Sequence, residues 1–316
     1  MVVLVPMLMV LMPEAVFGIL TSVCDLLRMT KRTYSIFGMT AVMMMVFVYH
    51  SSVLFSEGKD TPSRMQPGCN VRRECLSFGT LKRIAVRKTA LWCIPCTFFL
   101  IACALNLIGC IQGTSLSELV KPALLPLLTA TTLACLPDRD IRDIRQVGLL
   151  VAAQLFGCAG DVLLIKEGFP FFAAGIGAFL IGHVCYLFLF GSKSWKGLTL
   201  RQWLIALAVM AVVVAGLVKA IGIHGALLAP MGIYGFVLML LIFSALAGVL
   251  RMPRGHRTTW WILLAGALLF TFSDSCIAMG TFGVMTFPLR HFVVMATYLA
   301  AQSLLAVGGV RLILGR

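Results

Sequence analysis

From residue 90 to the carboxyl end the chain is almost continuously apolar, interrupted only by short polar breaks, and few folds accommodate such a pattern. A helix crosses the hydrocarbon core of a bilayer with roughly 20 predominantly apolar residues. Eight stretches of that kind succeed one another, at 90–111, 118–136, 147–165, 170–190, 203–221, 225–249, 259–281 and 291–313. The breaks are too short to hold a folded soluble domain. Only 12% of the residues are charged, about half the ~25% of soluble domains. The expected fold is all-α, a polytopic integral membrane bundle of about eight transmembrane helices.

The formal charge of +14 invites a nucleic-acid reading, but the basic residues are distributed by loop rather than along one element. Seventeen Lys and Arg residues, from Arg72 and Arg73 through Arg139, Lys193 and Arg251 to Arg316, fall before the first span or in alternate breaks. The opposite breaks hold only Lys166 and Arg290, with Lys121 and Lys219 just inside helix ends. Such asymmetry is the positive-inside signal. It predicts that both ends of the bundle, including the C-terminus, are cytosolic. No basic patch with interleaved aromatics is present, so no nucleic-acid partner is expected.

The first 79 residues differ in character and read as an amino-terminal extension to a membrane domain at 80–316. They hold two apolar stretches, 2–20 and 36–55, followed by a basic polar segment. The first stretch lacks a positively charged start and carries Pro6, Pro13 and Glu14, which argues against a cleaved signal peptide. If both stretches spanned, Arg28, Lys31 and Arg32 between them would lie opposite the equally basic 56–88 segment, so at most one is expected to cross. Of the 11 cysteines, most lie in apolar spans and read as small membrane-compatible hydrophobes. Cys93 and Cys96 have CxxC spacing but no second pair to complete a zinc site, and Cys69 and Cys75 are expected to stay reduced.

The chemically informative residues are those that are costly in hydrocarbon. Asp161 in the third span and Asp274 in the seventh are ionisable groups that need a partner or a wet cavity at that depth. Both helices start on the predicted cytosolic side, and each aspartate lies about fifteen residues in, or roughly 22 Å at ~1.5 Å per residue. The two carboxyl groups should therefore share a depth near the non-cytosolic face. Lys121, Tyr234, Tyr298 and Gln302 approach that level from other spans, Ser273 adjoins Asp274 on its own, and a single polar pocket could collect them. His183 lies deeper, on a stripe with Phe179 and Tyr186. The two aspartates could instead lock the bundle through Lys121, tyrosines or backbone groups. His183, Tyr186 and Gln302 could serve as interhelical hydrogen-bonding groups, and Ala174, Ala178 and Gly182 form a small-residue stripe suited to helix packing. Neither HExxH nor GxSxG occurs, and three or four metal ligands at matched depth cannot be assembled. No metal or cofactor is expected.

These positions fall within runs that resemble one known family. Gly160-Asp161-Val162-Leu163-Leu164, followed by Gly175, Phe179, His183 and Tyr186, is similar to the first signature of the YhhN-like lysoplasmalogenases. Gly266 to Ser275 resembles a second signature, Met295 to Gln302 a third, and Lys121-Pro122 an early one. The third run departs from the pattern by having Leu299 and Ala300 where a second aromatic is usual. The resemblance implies an eight-helix membrane hydrolase of the endoplasmic reticulum that cleaves the sn-1 vinyl ether of lysoplasmenyl-phosphocholine or -phosphoethanolamine. Its products would be a fatty aldehyde and a glycerophospho-base.

Hydrolysis of a vinyl ether needs an acid to protonate carbon and an anion to face the resulting oxocarbenium ion, as paired carboxyl groups do in glycoside hydrolysis. Asp161 and Asp274 are the candidate pair, with their order of roles open. Lys121, His183, Tyr186, Tyr234, Ser273, Tyr298 and Gln302 are the candidate binding or supporting residues. A transporter or lipid-binding protein using the same two aspartates as an ion or proton path is the alternative.

Overall fold

The computed structural model describes residues 93–136, 144–222, 225–282 and 289–315. The stretches 2–20 and 36–55, the segment 56–88, the boundary at residue 79, and Cys69 and Cys75 lie outside them, as do Arg139 and Arg142.

Among the described residues the chain forms eight long helices: α1 (Cys93–Gln112), α2 (Leu116–Cys135), α3 (Ile144–Leu163), α4 (Phe169–Ser194), α5 (Leu200–Ile221), α6 (Leu228–Arg251), α7 (Arg254–Thr281) and α8 (Arg290–Ile313). All eight are long and apolar enough to cross a membrane, and the protein is an integral, multi-pass membrane protein. A helix satisfies its backbone N–H and C=O groups internally, which hydrocarbon cannot do for it. Each helix coincides with one predicted span, but the ends differ. The fourth continues to Ser194 instead of 190, and the seventh begins at Arg254 instead of 259. Hydropathy marks where apolar character stops, whereas the hydrogen-bond ladder continues into the polar interface. The sixth starts later than predicted because Gly225–Leu227 forms a separate 3-10 turn.

Local chemistry sets the stops. Thr199 and Gln202 form a reciprocal capping box at the start of α5, satisfying two amide donors that have no intrahelical acceptor. At its other end Gly222 adopts φ 72°, the left-handed conformation that glycine takes without steric cost.

Neighbours in sequence pack together in the pairs α2 with α3, α3 with α4, α5 with α6, α6 with α7 and α7 with α8. Three further contacts, α4 with α6, α8 with α2 and α8 with α3, draw the helices into a bundle. The core lies along α8, the most buried of the described helices, with Leu299, Ala301 and Leu305 buried on it and Leu263 and Ala267 buried on the neighbouring α7. Small residues bring backbones together. A Cβ added at Gly182 would lie 3.0 Å from the Ala153 carbonyl oxygen of α3, and one at Gly248 would collide with the Trp260 ring. Helix α5 is the least buried; Leu204, Ile205, Val209 and Val212 on it are exposed, a surface suited to acyl chains rather than water.

Candidate active site

Helix α3 ends two residues after Asp161, which places this carboxylate near one edge of the bundle yet only 2% exposed. Its Oδ1 lies 3.3 Å from Lys121 Nζ on α2, and its Oδ2 accepts a 2.7 Å hydrogen bond from the Tyr298 hydroxyl on α8. Gln302, one turn further along α8, donates through Nε2 to the Tyr298 oxygen at 3.5 Å. Its Oε1 accepts from the Tyr186 hydroxyl of α4 at 3.1 Å. Lys121, Asp161, Tyr298, Gln302 and Tyr186 thus form one connected polar run that crosses four helices. Close approach makes it fit: a Cβ at Gly157, one turn before Asp161, would meet Leu125 at 2.7 Å and Gln302 Nε2 at 3.3 Å.

Asp274 on α7 has different surroundings. Its Oδ2 accepts a short hydrogen bond from the Tyr234 hydroxyl of α6, and among the described residues no cation pairs with it. It is half-buried and lies on the wall of a cleft between α4, α5, α6 and α7. The two carboxylates are near enough to interact electrostatically.

Aromatic rings fill the space around the two networks. Phe179, Phe270 and Tyr298 meet edge to face with centroids 5.5–6.2 Å apart, a favoured arrangement for aromatic pairs. Phe179 also lines the cleft, so the polar run around Asp161 lies behind it while Asp274 faces the cleft.

The remaining predicted residues take varied positions. His183 Nδ1 lies 2.6 Å from the Phe179 carbonyl oxygen, and Nε2 is buried without a hydrogen-bond partner. Its ring stands edge-on to Phe270 at 4.4 Å and Tyr234 at 5.7 Å, and it bonds to neither aspartate. Ser273 turns away from the cleft and donates to the Val294 carbonyl of α8 at 3.0 Å, tying α7 to α8. Instead of one pocket collecting every candidate, the structure forms a closed network around Asp161 and a cleft-facing pair at Asp274.

Some residues at the site were not singled out from the sequence. Thr271 and Ser275 line the cleft with Asp274; Thr271 stands three residues before Asp274 and four before Ser275, the helical spacing that could have found them. Gln154 is fully buried and donates to Thr132 at 3.1 Å; Gln154, Gly157 and Asp161 share one face of α3 by the same spacing. Among the described residues, no three His, Cys, Asp or Glu side chains gather as a metal site would require. Cys93 and Cys96 are free, one exposed and one buried.

Residues 116–309 match the YhhN family. The chain is 31% identical over 248 residues to the lysoplasmalogenase TMEM86B of Rattus norvegicus, covering 77% of this chain and 93% of the relative. It is 29% identical over 246 residues to the lysoplasmalogenase TMEM86B of Mus musculus, covering 77% and 96%. A lysoplasmalogenase of Mycobacterium tuberculosis is 29% identical over 163 residues, covering 50% of this chain and 59% of the relative. No solved structure is significantly similar to the chain.

Proposed function

The chain belongs to the YhhN family, and on that premise we propose that it hydrolyses the sn-1 vinyl ether of lysoplasmenyl-phosphocholine or -phosphoethanolamine, with Asp274 as the acid and Asp161 as a fixed anion. The observation that carries the reading is the asymmetry between the two carboxyl groups. Asp161 is held by a lysine ammonium at 3.3 Å and a tyrosine hydroxyl at 2.7 Å, both of which favour its ionised form. Asp274 has a tyrosine and no cation, and opens on an apolar cleft. One group is built to stay charged and the other to exchange a proton with a lipid.

The reaction follows from these placements. Asp274 gives its proton to the alkenyl carbon remote from the ether oxygen, the double bond supplying the electron pair. Positive charge then spreads over the adjacent carbon and the ether oxygen, facing the Asp274 carboxylate with Asp161 behind it. Water adds to that carbon and returns a proton to Asp274. The hemiacetal so formed collapses: its carbon–oxygen bond to glycerol breaks, its hydroxyl proton passes to the departing oxygen, and aldehyde and glycerophospho-base leave. Tyr234 orients Asp274, and Tyr298, Gln302 and Tyr186 hold Asp161 in register. Lys121, near the start of α2, adds positive charge on the side where a lipid phosphate would sit.

A cytosolic C-terminus, supported by the biased distribution of Lys and Arg, and the endoplasmic reticulum membrane, which the family resemblance implies, complete this reading. Incubation of the purified, reconstituted protein with an alkenyl lysophospholipid and its saturated-ether analogue tests the activity. Aldehyde release from the first alone is the expected result. Inertness toward both, together with ion or proton flux across the vesicles, would move the assignment to the transporter alternative.

A further inference from the structure

Building on the lysoplasmalogenase reading, we propose that the cleft between α4, α5, α6 and α7 binds the sn-1 alkenyl chain of the substrate, and that Gly235 keeps the cleft wide enough to admit it. The cleft encloses about 760 Å³ of space free of protein atoms, part of it open to the outside. Its wall is apolar except at a few positions. Thr271 and Ser275 turn their hydroxyls back onto their own helix, donating to the carbonyls of Ala267 and Thr271. The Asp274 carboxyl with its Tyr234 partner is therefore the polar feature that faces the space.

The shape matches a single chain bearing one weakly polar group. Along α6 the lining runs from Met231 through Tyr234 to Met239, a rise of roughly 12 Å at ~1.5 Å per residue. The Tyr234–Asp274 pair sits about a third of the way along. A chain lying in the cleft would have its vinyl ether at this pair and its next carbons beside Leu238 and Met239, with the remainder passing into the bilayer. A bare hydrocarbon would leave the carboxyl without use.

Gly235 is where width is decided. A Cβ there would come 3.5 and 3.8 Å from the Val214 methyls of α5, which is ordinary contact. Alanine fits, and any longer side chain must extend into the gap between α5 and α6. Gly232, one turn earlier on α6, is not part of the lining and has open space around it. Replacing either glycine removes a poor helix former, so the helix itself gains propensity.

The test compares wild type with Gly235→Leu, Gly235→Ala and Gly232→Leu on long-chain and short-chain alkenyl lysophosphocholines. Gly235→Leu is expected to lower kcat/KM for the long chain about tenfold, mainly through KM, which is the scale on which apolar pockets discriminate. The short chain should be affected less, Gly235→Ala should fall between wild type and Gly235→Leu on the long chain, and Gly232→Leu, outside the lining, should stay within about twofold of wild type on both. A second arm uses a saturated-ether lysophosphocholine with a photoreactive group in mid-chain, which needs no turnover. In wild type it should label peptides of α6 and α7, and Gly235→Leu should lose that label. If wild type turns over both substrates but the label falls elsewhere, or Gly235→Leu keeps the long-to-short ratio, the cleft assignment is overturned. If wild type releases no aldehyde while the cleft still takes the label, the hydrolase reading fails and the binding site stands.

Discussion

The Lys121–Asp161 pair offers the sharpest physical prediction, because its behaviour depends on burial and geometry more than on any assumption about substrate. At 3.3 Å and an effective dielectric constant of ~20, two unit charges attract by about 5 kcal/mol. Most of that attraction offsets the cost of removing both ions from water, so the intact pair adds little net stability. Removing one partner is a different matter. Lys121→Met leaves Asp161, only 3% exposed at the side chain, with a hydrogen bond from Tyr298 and no counter-charge. The expected loss is about 3–5 kcal/mol. Asp161→Asn should cost less, about 1–2 kcal/mol, because Lys121 is 17% exposed and its flexible stem can carry the ammonium toward the headgroups. In the double variant no charge is stranded, and the loss should be near that of Asp161→Asn alone. The assay is a double-mutant cycle on unfolding free energy in mixed micelles, and a coupling of about 2 kcal/mol or more is expected. A coupling under about 0.5 kcal/mol would refute the argument, since it would mean that Asp161 is solvated or neutral and needs no lysine.

Other expectations follow from the same geometry. Asp274→Asn should lower aldehyde release by about 10²–10⁴-fold, the usual contribution of a positioned general acid, and a variant retaining a tenth of wild-type kcat would count against that role. Gly160→Ala places a Cβ 2.7 Å from the Phe179 ring, so Phe179 should be displaced at the boundary between the two networks. Activity is expected to fall by more than thermal stability does, and unchanged turnover with unchanged stability would contradict the placement of Phe179. Deleting residues 1–79 should leave turnover in membranes intact, because the family match begins at 116; an inactive but correctly inserted truncation would assign the extension a part in the site. The acid mechanism draws on no Lewis acid, so purified activity should survive a strong chelator. Loss of activity that added zinc restores would replace the mechanism.

The parts of this protein legible from the sequence were those set by transfer from water to hydrocarbon, a property of each stretch by itself. The eight helices and the intramembrane position of Asp161 and Asp274 are of that kind, and so is the nearness of Lys121 to the same level. The partners of each group were not. The short connection between α7 and α8 put Tyr298 level with Asp274, yet its hydroxyl bonds Asp161, because α8 packs against α3 as well as α7. Ser273 shares a helix turn with Asp274 but points to α8, while Thr271 and Ser275 line the cleft. Position along a helix is a one-dimensional quantity that residue counting gives. Which side of a helix meets which neighbour depends on the rotation of every helix about its own axis, and close contacts at Gly157, Gly160 and Gly182 settle that rotation only once the bundle is assembled. The sequence alone therefore determined the helices and which of them carry the two carboxyl groups. Tertiary packing decided that one would be locked to a lysine and the other left facing a cleft.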